Sequence, residues 1–160
     1  MSNYIRVDDR LIHGQIITKW AGYLNIRNII VVDDKTANNP TLRSIMSMSV
    51  PKNYKTYICT LEESEKVIKN AEGQNNLIIV RYPNIVKKIY DMGIKFEFIN
   101  IGNVSKKEGS EFEVTHNIFL TKEEIDIIEE LHKKGVEIIF QLVPDTPAYT
   151  WEKERSKFFK

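Results

Sequence analysis

The chain has 160 residues and a nearly balanced charge, with 23 Lys and Arg, 22 Asp and Glu, and a formal net charge of +1. This length suits one domain, residues 1–160, with 145–160 as a C-terminal tail. The charge balance does not favour nucleic acid or an anionic membrane as a partner. Because no apolar run approaches the roughly 20 residues that cross a bilayer and the start lacks a signal-peptide pattern, we expect a soluble, intracellular protein.

Short β-branched runs alternate with helical patterns along the chain. This alternation predicts a doubly wound α/β fold, in which helices cover both faces of one mostly parallel sheet of about seven strands. The predicted strands are residues 4–7, 27–33, 54–59, 76–81, 96–101, 114–120 and 136–143.

Helices are predicted between most of these strands. Their starts are marked by Asn39 with Pro40, by Pro83, and by the capping-box pairs Thr60 with Glu63 and Thr121 with Glu124, and their stops by Gly73, Gly93 and Gly135. Apolar residues recur at helical spacing in three helices, which predicts stripes that face the core. These stripes are Leu42, Ile45 and Met46; Ile85, Ile89 and Met92; and Ile125, Ile128 and Leu131.

The octapeptide DDRLIHGQ, residues 8–15, lies where the first strand gives way to a helix. The first N–H groups of a helix have no partner within it, so together with the helix dipole they can bind an anion. Arg10 adds a planar fork of donors that suits phosphate oxygens, and Gly14 lets the backbone approach closely. We therefore predict phosphate binding by Arg10 and by the N–H groups of Gly14 and Gln15.

His13 is the candidate nucleophile of this segment. Histidine offers a neutral ring nitrogen near pH 7, which can attack phosphorus without a separate base. The alternative is a structural histidine that bonds a carbonyl beside Leu11 and Ile12. The neighbouring Arg10 and Gly14 favour the catalytic interpretation.

Several polar residues follow other predicted strands and should share one sheet edge with His13, because ligands of open α/β sheets bind outside the carboxyl ends of the strands. Each also has a structural interpretation: Asp33 and Asp34 as caps of the helix near Pro40, Arg81 as a solvated strand end, and Asp9 as a tether of Arg10 or of the backbone. The candidate pocket residues are Asp9, Asp34, Arg81, Gly102 and Asn103.

The remaining chemistry-bearing side chains are interpreted as structural. His116 falls in a predicted strand, and His132 lies late in the helix 122–134, where a cation suits the dipole. Trp20 on the first helix either packs inside or lines a docking surface, and packing is favoured. Cys59 is the single cysteine and is interpreted as a small apolar residue. No histidine pair has zinc-ligand spacing and no nucleotide-binding glycine pattern occurs, so no metal and no cofactor are indicated.

The motif DDRLIHGQ, with Trp20 and the run IIVVDD at 29–34, closely resembles the IIB component of the mannose/fructose/sorbose family of the bacterial sugar phosphotransferase system (PTS). The resemblance covers nearly the whole chain. Further segments that carry it are IIVRYP at 78–83, NIGNVS at 100–105, IFLTKEE at 118–124 and KGVEIIFQLVP at 134–144.

The resemblance implies that His13 accepts a phosphoryl group from a IIA protein or domain and that Arg10 faces the phosphate. It also implies transfer to a sugar taken up through the IIC and IID membrane components. The protein would then be cytoplasmic and associate peripherally with the membrane through that permease.

Two other functions remain open on the residues alone. A histidine-nucleophile phosphatase also places its histidine after the first strand, but its signature is Arg-His-Gly in sequence, whereas Leu11 and Ile12 intervene here. It would need a second histidine in the pocket, either His116 or His132. A regulatory module that binds a partner according to its phosphorylation state is the other alternative.

Overall fold

Strands and helices alternate through most of the chain, as a computed structural model that describes residues 2–159 shows. The strands are β1 (Asn3–Asp8), β2 (Asn28–Val32), β3 (Lys55–Cys59), β4 (Asn76–Val80), β5 (Ile99–Asn103), β6 (Ser110–Thr115), β7 (Ile118–Thr121), β8 (Ile138–Phe140) and β9 (Tyr149–Thr150). The helices are α1 (Gly14–Tyr23), α2 (Asp34–Ala37), α3 (Pro40–Met48), α4 (Leu61–Asn70), α5 (Pro83–Asp91), α6 (Lys122–Lys133) and α7 (Trp151–Glu154), followed by a 3-10 turn at Arg155–Lys157.

Strand β1 lies inside a seven-stranded sheet with the order β3-β2-β4-β1-β5-β8-β9. All neighbouring pairs are parallel except β8 with β9. The chain builds β2, β3 and β4 on one side of β1 and then crosses to β5 on the other side. The strand order therefore changes direction at β1, and in open α/β sheets ligands bind outside the carboxyl ends of the strands at such a position.

The sheet is covered on both faces, which confirms the predicted fold class. Strands β2 and β4 read NIIVV and NLIIV and are buried along their whole length, as expected for parallel strands between two helical layers. One apolar cluster packs α4, α5, α6 and α7 against one face, and a second packs α1 and α2 against the other. The predicted helix starts at Asn39, Thr60 and Thr121 are confirmed by side-chain caps.

The predicted strand 114–120 is wrong as a single element. The segment instead belongs to a hairpin of β6 and β7, which forms a separate two-stranded antiparallel sheet. His116 and Asn117 form the turn between the two strands. This polar pair therefore interrupts the segment that was predicted as one continuous strand. The seventh strand of the main sheet is β9, which comes from the C-terminal tail.

The predicted core stripe of α3 is also partly wrong. Leu42 and Met46 are half-buried, but the Ile45 side chain is 62% exposed and Met48 is 84% exposed. This helix packs beside the edge strand β3, where only part of one helix face can be covered. The stripes of α5 and α6 are confirmed, since their members are buried or packed against the core.

The C-terminal tail is fastened to α6 by a buried carboxylate. Trp151 is fully buried, and its indole Nε1 donates to Oε1 of Glu129 at 3.0 Å. Arg155 Nε donates to the same oxygen at 2.9 Å, and its Nη2 pairs with Oε2. The hydrogen bond from Arg155 lowers the pKa of Glu129 to about 2, and the Trp151 bond adds to the lowering against the opposing effect of burial.

The substitution Glu129→Gln is expected to loosen the tail. A charge-assisted pair is lost, so we expect a loss of about 1–2 kcal/mol near pH 7, seen as a fall of roughly 2–8 °C in the unfolding temperature. Because the pKa of Glu129 is depressed in the folded state, its contribution is present above pH 4.5 and is lost as the pH falls toward 2.

Thermal unfolding followed by circular dichroism from pH 7 to pH 2.5 measures this difference. Glu137→Gln is the matched control, because Glu137 is an exposed glutamate that directly precedes β8. An equal effect of the two substitutions, or a difference that does not shrink at low pH, would contradict the assigned role of Glu129.

Candidate functional site

His13 lies at the carboxyl edge of the sheet, between β1 and α1. It is the N-cap residue of α1, its side chain is exposed, and its imidazole makes no capping hydrogen bond. Its carbonyl oxygen accepts the N–H of Ile16 at 3.0 Å, which fixes the start of the helix. The ring therefore projects from an ordered helix start toward solvent, where another protein can reach it.

The loop that carries His13 is held by buried apolar side chains. Leu11 and Ile12 belong to the same apolar cluster as Ile17 and Trp20 of α1. Leu11 has a left-handed backbone with φ 59, a conformation that costs a non-glycine residue about 1–2 kcal/mol. Burial of its side chain and a hydrogen bond from its N–H to the Asp8 carbonyl at 2.9 Å offset this cost. The loop thus has one defined shape.

Arg10 is oriented by the buried carboxylate of Asp8. Oδ1 of Asp8 accepts the Arg10 backbone N–H at 3.0 Å and its Nε at 3.2 Å, and Oδ2 accepts Nη2 at 3.4 Å. The Asp8 side chain is 0% exposed, whereas that of Arg10 is 37% exposed. One face of the guanidinium is anchored in the protein and the other reaches the surface three residues before His13.

Asp9 ties the end of β1 to the loop after β5. Its Oδ1 accepts Nδ2 of Asn103 and its Oδ2 accepts the backbone N–H of Ser105, both at 2.8 Å. Of the two roles expected from the sequence, the structure gives Asp9 the backbone tether and gives the Arg10 tether to Asp8.

Arg81 links the ends of three strands. Its interpretation as a solvated strand end is therefore wrong. Its Nε pairs with Oδ1 of Asp33 at 3.1 Å, and its Nη1 donates to the Asp9 carbonyl at 2.6 Å. Asp33 caps the short helix α2 through the N–H of Thr36, whereas Asn39 caps the helix at Pro40. Asp34 accepts the N–H of Leu61 at 2.7 Å and so joins the start of α4. Asp33, Asp34 and Arg81 therefore brace the rim of the site.

Arg6 is the residue of this site that the sequence analysis missed. Its side chain is 1% exposed, and Nη2 donates to Oδ2 of Asp8 at 3.1 Å while Nη1 pairs with Oδ1 of Asn100. Its guanidinium carbon lies 5.9 Å from the ring centroid of Trp20. Burial lowers the pKa of Arg6, and the Asp8 carboxylate opposes that effect. The available signal was an arginine in the centre of the apolar strand run YIRV.

Gly102 provides the space for the Arg6 side chain. A Cβ at this position would overlap the guanidinium carbon and both terminal nitrogens of Arg6. The ladder between β1 and β5 is irregular at the same point, because Val7 pairs with Ile101 and Asp8 with Asn103, which leaves Gly102 as the extra residue. A small residue is therefore required here for a packing reason.

Gly14 and Gln15 form the first turn of α1, and both are exposed. Gly14 has φ +22, close to the left-handed region, and a Cβ there would meet no atom within 4 Å. The structure therefore leaves open space on the side of Gly14 where a side chain would project.

The other two histidines have different neighbours from His13. His116 lines a pocket of about 460 Å³ beside Gln141 and Glu154, and neither His13 nor Arg10 lines that pocket. His132 is in the last turn of α6, with Nε2 3.1 Å from a carboxylate oxygen of Glu152. Since α6 ends just before β8 begins, His132 lies toward the amino edge of the sheet.

The interpretation of Trp20 as a packing residue is confirmed. It is buried, and its Nε1 donates to the Leu142 carbonyl at 2.9 Å. Cys59 is buried as well, and burial raises the pKa of its thiol to about 12. Within residues 2–159, no group of three or more His, Cys, Asp or Glu side chains is placed to hold a metal ion, and no helix is long and apolar enough to cross a membrane.

Comparison with known sequences identifies one family. The family model described as "PTS system sorbose subfamily IIB component" matches residues 2–157. The sorbose-specific EIIB component of Klebsiella pneumoniae is 28% identical over 145 residues, which are 89% of this chain and 88% of that protein. The mannose-specific EIIAB component of Escherichia coli is 25% identical over 144 residues, which are 89% of this chain but 44% of that longer protein.

Comparison with solved structures agrees. The crystal structure of the IIBSor domain of the Klebsiella pneumoniae sorbose permease has a TM-score of 0.89 at 25% identity and covers 98% of both chains. The structure of manxB from Thermoanaerobacter tengcongensis has a TM-score of 0.88 at 24% identity over 98% of this chain and 96% of that one, a likeness of fold.

The tether made by Asp9 gives a prediction for the loop after β5. In Asp9→Ala, Asn103 and the N–H of Ser105 lose their acceptor, which should cost about 1–3 kcal/mol of local stability. We expect amide hydrogen exchange at Ser105 to become roughly 5- to 100-fold faster, measured by NMR. Asp145→Ala, an exposed change in the C-terminal tail, is the control. Unchanged exchange at Ser105 in Asp9→Ala would show that Asp9 does not hold this loop.

Proposed function

Because the chain belongs to the sorbose subfamily of PTS IIB components, we propose that it carries a phosphoryl group on His13 between a IIA component and a sugar. The observation that carries this proposal is the exposed His13 at the start of α1, three residues after Arg10, whose guanidinium is anchored by a buried carboxylate. A reactive ring that other proteins can reach, next to a fixed cation, is what a phosphoryl relay requires.

In the first half-reaction, a ring nitrogen of His13 attacks the phosphorus of the phosphohistidine on IIA. The new N–P bond forms as the N–P bond to the donor histidine breaks. In the second half-reaction, the oxygen of a sugar hydroxyl attacks the same phosphorus, the N–P bond to His13 breaks, and the hydroxyl proton is taken up by the imidazole that leaves. Such transfers pass through loose transition states, in which positioning and stabilisation of charge supply most of the catalysis. In this reaction the chain acts as a protein-phosphohistidine:sugar phosphotransferase.

Arg10 and the first turn of α1 supply that stabilisation. The exposed side of the Arg10 guanidinium offers donors to the equatorial oxygens of the phosphoryl group. The ion pair with Asp8 holds this guanidinium in one orientation. The N–H groups of Gly14 and Gln15, at the positive end of the helix dipole, complete the anion site. The open space around Gly14 leaves room for the phosphoryl oxygens.

The proposed partners follow from the family. The mannose-specific relative is an EIIAB component of which this chain matches 44%. That similarity supports a IIA protein or domain as the phosphoryl donor. The IIC and IID membrane components would present the sugar, and the chain would associate peripherally with the cytoplasmic face of the membrane through them.

The first test is phosphorylation of His13. The purified protein is incubated with phosphoenolpyruvate, the general PTS proteins and a cognate IIA, and the intact mass is measured before and after mild acid. We expect an acid-labile gain of one phosphoryl group, absent in His13→Ala and retained in His116→Ala. A gain that persists in His13→Ala would refute the proposal, and a phosphate that never moves on to sugar with the permease present would favour the regulatory module.

The second test concerns Arg10. Removal of the guanidinium in Arg10→Ala should slow phosphorylation of His13 about 100- to 1,000-fold, the usual effect of losing one charge-stabilising donor. Arg10→Lys should restore part of the rate, because an ammonium keeps the charge but lacks the fork of donors. Rates come from quenched-flow mass spectrometry, with folding checked by circular dichroism. Full activity of folded Arg10→Ala would refute the role of Arg10 in stabilising the transferred phosphoryl group.

A further inference from the structure

We propose that Arg6 is a positioning residue of the phosphoryl-transfer site, acting through Asp8 to hold Arg10 and to keep the charge of Arg10 available to the phosphoryl group. This inference rests on the function proposed above. Arg6 is 1% exposed and cannot itself reach the phosphoryl group, so any effect on transfer must pass through its neighbours.

The contacts of Asp8 form the link between the two arginines. Within residues 2–159, its Oδ1 accepts hydrogen bonds only from Arg10, through the backbone N–H and Nε. Its Oδ2 is shared by Nη2 of Arg6 at 3.1 Å and Nη2 of Arg10 at 3.4 Å. Arg6 therefore fixes the plane of the carboxylate from inside the protein. Arg10 binds the outer side of a carboxylate that Arg6 restrains from the inner side.

The charges of the three groups give a second reason. A carboxylate that pairs with Arg10 alone would orient it but would cancel its charge toward an incoming anion. With Arg6 present, two guanidinium groups share one carboxylate, and the cluster keeps one net positive charge. The carboxylate is buried, so screening by water is weak and this difference extends to the phosphoryl site.

The buried Arg6 side chain has two structural costs. Its Nε has no hydrogen-bond partner in the described residues, and the position opposite it must be Gly102. Replacement of a buried ion pair by apolar residues of similar size is often neutral or stabilising, so stability alone does not explain an arginine here. Retention of Arg6 at the centre of the sheet therefore favours a role in the site.

Arg6 also touches the helix that carries His13. Its guanidinium lies against the ring of Trp20, which is on the buried face of α1. The indole Nε1 of Trp20 is fixed by the Leu142 carbonyl, which follows β8. This contact packs Arg6 against α1, whereas the proposed effect on transfer passes through Asp8 and Arg10.

A double-mutant cycle tests the proposal. Phosphorylation of His13 is measured for the wild type, Arg6→Met, Arg10→Ala and the double variant. We expect Arg6→Met to slow transfer about 10-fold or more when Arg10 is present, and by less than about 2-fold when Arg10 is already absent. The loss should appear in kcat more than in KM for phosphorylated IIA. An equal slowing in both backgrounds would mean that Arg6 acts only through general stability and would overturn the proposal.

A second variant keeps the test valid if Arg6→Met does not fold. Gly102→Ala retains every charge but displaces the Arg6 guanidinium, and it should show the same dependence on Arg10. Gly22→Ala is the matched control, because a Cβ at Gly22 on α1 meets no atom within 4 Å. Activity of Gly102→Ala equal to that of Gly22→Ala would argue against the proposal.

NMR of the Arg10 side chain separates this proposal from the proposed function. In the wild type, exchange of the Arg10 Nε–H with water should be slowed by its bond to Asp8, and Arg6→Met or Gly102→Ala should accelerate it at least about 5-fold. If the wild type accepts no phosphoryl group on His13, the proposed function fails, whereas the exchange data still decide the link. Unchanged exchange in both variants would refute the positioning role.

Discussion

A buried carboxylate at the end of a central strand must be given donors, and much of the carboxyl edge of the sheet is arranged around this need. Asp8 is 0% exposed and receives hydrogen bonds from Arg6 and Arg10. Arg6 in turn requires Asn100 on β5, the missing side chain at Gly102, and the Gln141 carbonyl after β8. Strands β1, β5 and β8 are thus joined by one polar network that ends at the surface beside His13.

The two edges of the sheet differ in chemistry. At the amino edge, neutral amides bridge three neighbouring strands: Asn28 Nδ2 donates to Asn76 Oδ1, and Asn76 Nδ2 donates to Asn3 Oδ1, both at 2.8 Å. At the carboxyl edge, Arg81 after β4 forms an ion pair with Asp33 after β2, and Asp8 at the end of β1 pairs with Arg6 and Arg10. Neutral side chains join the strands at the amino edge, whereas charged side chains leave the partly exposed guanidinium of Arg10 at the edge that carries His13.

Much of this arrangement could be predicted from the sequence, because it depends on local patterns. Strands β1 to β4, the capping residues and the position of His13 follow from β-branched runs and from polar residues at fixed offsets. The hairpin at 110–121 and the strand β9 could not be predicted in this way, because a short polar turn and a two-residue strand leave little periodicity. Ile45 shows the same limit, because helical spacing does not reveal that α3 lies at a sheet edge. The roles of Arg6 and Gly102 depend on the irregular register between β1 and β5, which only the folded chain contains.

The two tryptophans lie on opposite faces of the sheet, Trp20 in the cluster under the His13 loop and Trp151 in the cluster that receives the tail. Both are buried, and the chain has no other tryptophan. Each helical layer therefore contains its own intrinsic fluorophore. A protein that retains only Trp20 reports optically on the layer that contains α1 and packs against the His13 loop, and one that retains only Trp151 reports on the opposite layer. Loosening of one layer can then be distinguished from global unfolding without any added label.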